Sequence, residues 1–137
     1  MPLPRVLIVD DHRLFADGVA EILRGRCEVV GFIADGGLVQ DAVERLKPDV
    51  MLLDISLPTM NGLEALARLD PVHLGGCKVI MLTMYRDPRL VTEALKAGAR
   101  GFTLKESSGD ELLTAVDTVL HGELYLTPSL AAGSTGG

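Results

Sequence analysis

Four apolar runs in this chain each end on a residue that can do chemistry. Arg5-Val6-Leu7-Ile8-Val9 runs into Asp10 and Asp11, and Val50-Met51-Leu52-Leu53 into Asp54. Lys78-Val79-Ile80-Met81-Leu82 runs into Thr83, and Gly101-Phe102-Thr103-Leu104 into Lys105. Strand periodicity asks for none of these polar ends. Carboxylates brought within a few ångströms of one another repel strongly at an intermediate dielectric. A grouping of Asp10, Asp11 and Asp54 therefore calls for protonation or for a cation among them. Hard oxygen donors, read without His or Cys, select Mg²⁺ over zinc. Mg²⁺ keeps waters and phosphate oxygens in its shell, which leaves room for a phosphoryl group. A carboxylate at Asp54 can attack phosphorus and form an acyl phosphate. The equatorial oxygens would then face Mg²⁺, the Lys105 ammonium, and the Thr83 hydroxyl with nearby backbone N–H groups.

Each residue also has a plainer reading. Asp10 or Asp11 can cap the first helix, and Asp54 can open a turn. Thr83 is an ordinary β-former, and Lys105 can be a solvated charge at a strand end. The agreement of four separate strand ends favours the chemical reading.

These ends need a scaffold that brings them together. Five apolar stretches, the four above and Cys27 to Ala34, read as strands, the last weakened by Gly31. Each is followed by a helical pattern. Leu14, Phe15, Val19, Ile22 and Leu23 recur at helical spacing, and Leu38 to Lys47 is helical until Pro48 stops it. Asn61 with Glu64, and Ser108 with Glu111, have capping-box spacing. Asp87-Pro88 opens a helix that Gly98 ends. Strands joined by single helices are parallel with right-handed crossovers. The expected fold class is therefore α/β: a doubly wound, five-stranded parallel sheet, (βα)₅ and flavodoxin-like. Ligands of such sheets bind outside the carboxyl ends of the strands.

Length and composition narrow the field. The chain has 137 residues, 47% of them hydrophobic, which suits one globular domain. We expect the domain over residues 1–126 and a linker or disordered tail over 127–137, a region rich in Gly, Ser and Thr. No apolar run is long enough for a membrane span and no signal peptide fits the start, so the expected location is cytoplasmic. A net charge of −6 makes the chain by itself a poor nucleic-acid binder. Cys27 and Cys77 lack metal-type spacing and read as small apolar residues near strand starts.

With those residues in place, the chain resembles the receiver domain of two-component response regulators from Arg5 to about Leu126. The resemblance rests on Val9-Asp10-Asp11-His12, Leu53-Asp54, Leu57-Pro58-Thr59-Met60-Asn61-Gly62, Leu82-Thr83 and Gly101-Phe102-Thr103-Leu104-Lys105. It implies that Asp54 takes phosphate from a phosphohistidine on a sensor histidine kinase. It also implies that Asp10, Asp11, Asp54 and the backbone carbonyl of Ser56 hold Mg²⁺, that Lys105 contacts the phosphoryl group, and that Thr83 and Phe102 form a switch pair. Asp-Asp-His, Gly-Ala-Arg-Gly-Phe and Gly-Glu-Leu-Tyr-Leu-Thr-Pro look like the NarL/LuxR type, as does Glu106 where many receivers carry Pro. Such proteins usually bear a C-terminal helix-turn-helix domain, and this chain stops before one would fit. The expectation is a receiver from a transcription regulator that touches DNA only through that absent domain; a natural single-domain regulator is the alternative.

Some positions depart from the common pattern of the family. Phe102 stands in place of the more usual Tyr and lacks its hydroxyl. Met84 is bulky and narrows access to the site, whereas Ser56 is small and leaves room for water. His12 reads as an exposed first-turn residue of the first helix rather than a phosphorylation site or metal ligand. Phosphorylation adds nearly two negative charges. Thr83 and Lys105 would move toward them, Phe102 would fill the space that Thr83 leaves, and the face made by the fourth helix, the fifth strand and the last helix would change, altering a homodimer contact or releasing a DNA-binding domain. A phosphohydrolase of the haloacid dehalogenase type wants a second Asp two residues after the nucleophile, where Asp10 is followed by His12. A flavin module wants Ser, Thr or Gly after the first strand. An unphosphorylated pseudo-receiver fits poorly with an intact acidic site.

Overall fold

The computed structural model describes residues 2–128; the expected tail beyond that point lies outside the described residues. The strands are β1 (Arg5–Val9), β2 (Glu28–Ile33), β3 (Val50–Asp54), β4 (Lys78–Thr83), β5 (Gly101–Leu104) and β6 (Tyr125–Leu126). The helices are α1 (Arg13–Leu23), α2 (Val39–Leu46), α3 (Gly62–Ala67), the short α4 (Pro71–Leu74), α5 (Pro88–Ala97) and α6 (Gly109–Leu120). The five central strands lie in the order β2-β1-β3-β4-β5, all parallel. A sixth strand of two residues, β6, adds to the expected five: it pairs in parallel with β5. The next residue, Thr127, is also buried, and its N–H reaches the carbonyl of Phe102 at 3.0 Å.

The sheet splits the core in two because successive strand residues face opposite sides. Leu7, Val9, Met51, Leu53, Val79 and Met81 pack on one side against α2, α3 and α5. Val6, Ile8, Val50, Leu52, Ile80 and Leu82 pack on the other against α1 and α6. Both faces being covered, β3 is buried along its whole length, which explains its unbroken apolar run.

The expected caps are in place. The side chains of Asn61, Asp87 and Ser108 accept hydrogen bonds from the N–H groups of Glu64, Arg89 and Glu111 at 2.8, 3.0 and 3.1 Å. Gly98 closes α5 at φ 110°. The helix expected from Leu38 begins instead with a 3₁₀ turn over Gly36–Leu38, capped by Asp35, and α2 ends with Lys47 in the left-handed region. The weakness of β2 has a cause. Its register against β1 slips between Val6 and Leu7, so that Val6 faces Val29 but Leu7 faces Gly31. A Cβ on Gly31 would lie 2.8 Å from Leu46 Cδ1, so any larger residue would make that side chain of α2 shift.

Register places the strand ends. Val9 pairs with Leu53, which sets Asp10 level with Asp54. Asp54 pairs with Leu82 and Thr83 with Leu104, so Thr83 and Lys105 follow one step further out on successive strands. β1 lies between β2 and β3, which puts Asp10 and Asp54 at the reversal of strand order.

The loop after β3 folds back tightly. Gly62 N–H bonds to the Ile55 carbonyl at 2.8 Å, and a Cβ on Gly62 would overlap the carbonyl of Asp54. Gly18, on α1, has open space at the same position. Gly62→Ala is therefore expected to lower stability by about 2 kcal/mol through overpacking, whereas Gly18→Ala should raise it by about 0.5–1 kcal/mol. Urea unfolding midpoints of the two variants check both signs.

Candidate functional site

Asp10 and Asp54 are both buried, at 6% and 2% exposure, and one ammonium stands against both. Lys105 Nζ lies 2.8 Å from Asp10 Oδ2 and 3.1 Å from Asp54 Oδ2. It also sits 4.7 Å from the centre of the Phe15 ring, a cation–π contact that screens it from water. Asp54 Oδ1 accepts from the Ser56 N–H at 3.1 Å, and Asp10 Oδ1 from the His12 N–H at 2.8 Å. Both are Asx-type turns that aim the carboxylates off the strand ends. Asp11 is more open, its side chain 36% exposed.

His12 is the N-cap residue of α1, one position before the first turn, and its ring is well exposed. The ring nevertheless turns toward the carboxylates. Its Nδ1 lies 3.1 Å from Lys105 Nζ, 3.5 Å from Asp10 Oδ1 and 3.7 Å from Asp11 Oδ1. One donor atom from each of Asp10, Asp11, His12 and Asp54 falls within 4.8 Å of all the others. That grouping can hold a metal ion. Asp10 Oδ2 supports the fit: it is buried, and Lys105 approaches it without the alignment of a hydrogen bond. A buried carboxylate oxygen with no directed donor is a ready cation ligand.

Thr83 is buried at the end of β4, but its hydroxyl is engaged elsewhere. Oγ1 accepts from the Tyr85 N–H at 3.0 Å, and no hydrogen bond joins it to Asp54 among the described residues. Phe102 is wholly buried in the layer under α5. The expectation that its ring moves into vacated space therefore meets a ring already inside. With no hydroxyl to hold it at the surface, burying the ring is the favourable choice. Met84 is 67% exposed and borders a hollow with His12, Leu14, Phe15, Lys105 and Glu106. Arg86 reaches Glu106 at 3.1 Å and ties the loop after β4 to the loop after β5. Sequence reasoning placed Phe15 only in a core stripe and set His12 aside. The available signal was their spacing: three residues apart at the start of a helix, they share a face, next to the acidic pair.

Burial holds the Asp54 carboxyl above the ordinary carboxylate range. The Lys105 hydrogen bond opposes that shift and the Asp10 charge adds to it. A raised folded-state value means that ionising Asp54 costs stability as pH rises from the unfolded value of about 4 through the folded one. Asp54→Asn removes that cost while its side-chain oxygen can still accept from Ser56. In chelator, Asp54→Asn is expected to melt above the native chain at pH 7, and the gap should close as pH falls below about 4. Paired thermal melts across that range measure it.

Residues 6–117 match the response regulator receiver domain family. The chain is 40% identical over 128 residues to the transcriptional regulatory protein DegU of Brevibacillus brevis, a match covering 92% of this chain and 54% of DegU. It is 40% identical over 129 residues to the transcriptional regulatory protein UhpA of Escherichia coli, covering 92% of this chain and 63% of UhpA. It thus spans little more than half the length of these relatives. Among solved structures, the signal receiver domain of NarL from Mycobacterium tuberculosis matches with a TM-score of 0.83 at 34% identity, over 90% of this chain and 100% of that one. A LuxR-family two-component response regulator from Aurantimonas matches with a TM-score of 0.88 at 27% identity, over 98% of this chain and 96% of that one. The buried acidic cluster at the strand ends thus sits in a chain that belongs to the response regulator receiver domain family, with relatives of the NarL/LuxR type.

Proposed function

We propose that this receiver accepts a phosphoryl group on Asp54 in a Mg²⁺-dependent reaction and passes the change on to a transcriptional output. The observation that carries the reading is the pairing of buried Asp54 with Lys105 at 3.1 Å, beside Asp10, at the open end of the sheet. Asp10, Asp11, Asp54 and the Ser56 carbonyl would hold Mg²⁺, which when bound neutralises charge on the phosphoryl oxygens. Asp54 supplies the nucleophile: one carboxylate oxygen forms the O–P bond as the bond from phosphorus to its donor breaks and the donor keeps that electron pair. Lys105, already within hydrogen-bond distance of Asp54, stays close enough to follow the new negative charge. Phe15 and the Asp10 carboxylate keep its ammonium in place.

The donor would be the phosphohistidine of a sensor kinase in the cytoplasm. No helix among the described residues is long and apolar enough to cross a membrane. The reading takes residues 1–126 as the receiver and 127–137 as linker toward an output domain, in keeping with the greater length of the relatives. Output would be a changed homodimer contact or a released DNA-binding domain. Since Phe102 is inside already, the moving part is the Thr83 loop. Its hydroxyl would leave the Tyr85 N–H for the phosphoryl oxygens and shift the exposed Met84 and Tyr85.

Intact-mass spectrometry after incubation with Mg²⁺ and acetyl phosphate should show one added phosphate. The adduct should be lost in Asp54→Asn and in the presence of chelator, and its absence from the native chain would remove the reading. Beryllofluoride with Mg²⁺ should move the amide NMR resonances of Met84, Tyr85 and Arg86 most. A spectrum unchanged there would exclude the loop as the transmitter.

A further inference from the structure

A magnesium site made of carboxylates and carbonyls has no use for an imidazole. Mg²⁺ is a hard cation that takes oxygen ligands, whereas imidazole nitrogen suits zinc and its neighbours. Yet His12 directs a ring nitrogen into the carboxylates, with one donor atom from each of Asp10, Asp11, His12 and Asp54 within 4.8 Å of all the rest. Lysine has only donors, so the 3.1 Å contact from Lys105 Nζ makes His12 Nδ1 the acceptor. The lone pair of Nδ1 therefore points at a cation already. The same ammonium touches Asp10 Oδ2 and Asp54 Oδ2, the first of them buried and without an aligned hydrogen bond. Lys105 marks the point on which the Asp10, His12 and Asp54 donors converge, with Asp11 Oδ1 3.7 Å from His12 Nδ1 beside it.

We propose that His12 makes this a second kind of metal site, in which Asp10, Asp11, His12 and Asp54 bind Zn²⁺ and take Asp54 out of use as an acceptor. The metal part stands on the donor geometry; the inhibitory part rests on the phosphoacceptor reading above. Zn²⁺ favours four ligands in a tetrahedron, and a site with four protein ligands is closed, with no open position for a phosphoryl oxygen. The ion replaces the Lys105 ammonium among the donors and uses the Asp54 carboxylate as a ligand. The His12 ring is well exposed, and its Nδ1 contact is to the Lys105 ammonium that the ion would displace, so it can complete the shell. The residue after the acidic pair thus sets which metals act on this receiver, and a transition metal opposes what Mg²⁺ supports.

Calorimetric titration of ZnCl₂ and of MgCl₂ into the chelator-stripped chain tests this. In His12→Gln the ratio of Zn²⁺ to Mg²⁺ affinity should fall by about tenfold or more, the loss of one good ligand. Co²⁺, an optical stand-in for Zn²⁺, should give the intense visible bands of a tetrahedral site in the native chain and weak ones in the variant. His73→Gln is the control, because His73 offers a separate imidazole beside Glu44 and Asp70. His12→Asn repeats the test should the first variant fail to show the native circular dichroism spectrum. An unchanged affinity ratio in the His12 variants, weak bands in the native chain, or loss of the signal in His73→Gln would overturn the site. Zn²⁺ added before acetyl phosphate and Mg²⁺ should suppress the phosphate adduct, and an undiminished adduct overturns the inhibition. A His12-dependent zinc site in a chain that acetyl phosphate and Mg²⁺ alone leave unmodified would support the metal site and overturn the phosphoacceptor reading, so the two fail separately.

Discussion

Two carboxylates lose nearly all their water at one edge of the sheet, and a single ammonium stands between them. Asp10 and Asp54 are buried, and Lys105 lies 2.8 and 3.1 Å from them. Buried charges are tolerated only when paired or when they coordinate a cation. One positive charge against two negative ones, with Asp11 close by, leaves the site short of positive charge. That deficit is what a divalent ion would relieve, and the Asp10 charge adds to the upward shift that burial imposes on Asp54. A fully neutralised cluster would be more stable and would do less.

The rest of the fold holds this imbalance in position. Parallel pairing of β1 with β3, β3 with β4 and β4 with β5 sets the four strand ends in register. Helices cover both faces, so register is held by how the alternating strand side chains pack into the two helix layers. Gly62 lets the loop after β3 return against the Asp54 backbone, and the turns at His12 and Ser56 aim the two buried carboxylates. Phe15 adds an aromatic face under the ammonium. The geometry therefore belongs to backbone hydrogen bonds and packing, and the charged side chains inherit it.

Beside this rigid floor lies a softer rim. Thr83 is fixed by its own loop through Tyr85 N–H rather than by the acidic cluster. Met84 and Tyr85 are exposed, and an exposed ion pair between Arg86 and Glu106 joins the two loops. Exposed pairs of this kind contribute little stability, so the rim can rearrange at small cost. Phe102, fully buried, belongs to the floor. A buried carboxylate with a loosely held neighbour suits the proposed signalling role, because a change of charge at the first would be felt most by the second.

Much of this was legible in the linear chain. The runs of β1, β3, β4 and β5 read as strands because burial on both faces leaves them largely apolar, and Asp10, Asp54, Thr83 and Lys105 stand out where those runs end. The caps at Asn61, Asp87 and Ser108 were legible for a local reason: each bonds a backbone N–H two or three residues away. What depends on distant partners was not. Gly31, at the slip in β2, lies against Leu46 of α2, and β6 forms on the edge that β5 offers it. The place of Phe102 followed from the space under α5, and that of His12 from Lys105, 93 residues away along the chain. The sequence by itself determined which chemistry the strand ends carry, since residue type and strand period are local. Only the tertiary structure decided that Asp54 and Lys105 meet His12 and its neighbours Asp10 and Asp11, because that meeting joins the ends of three separate strands.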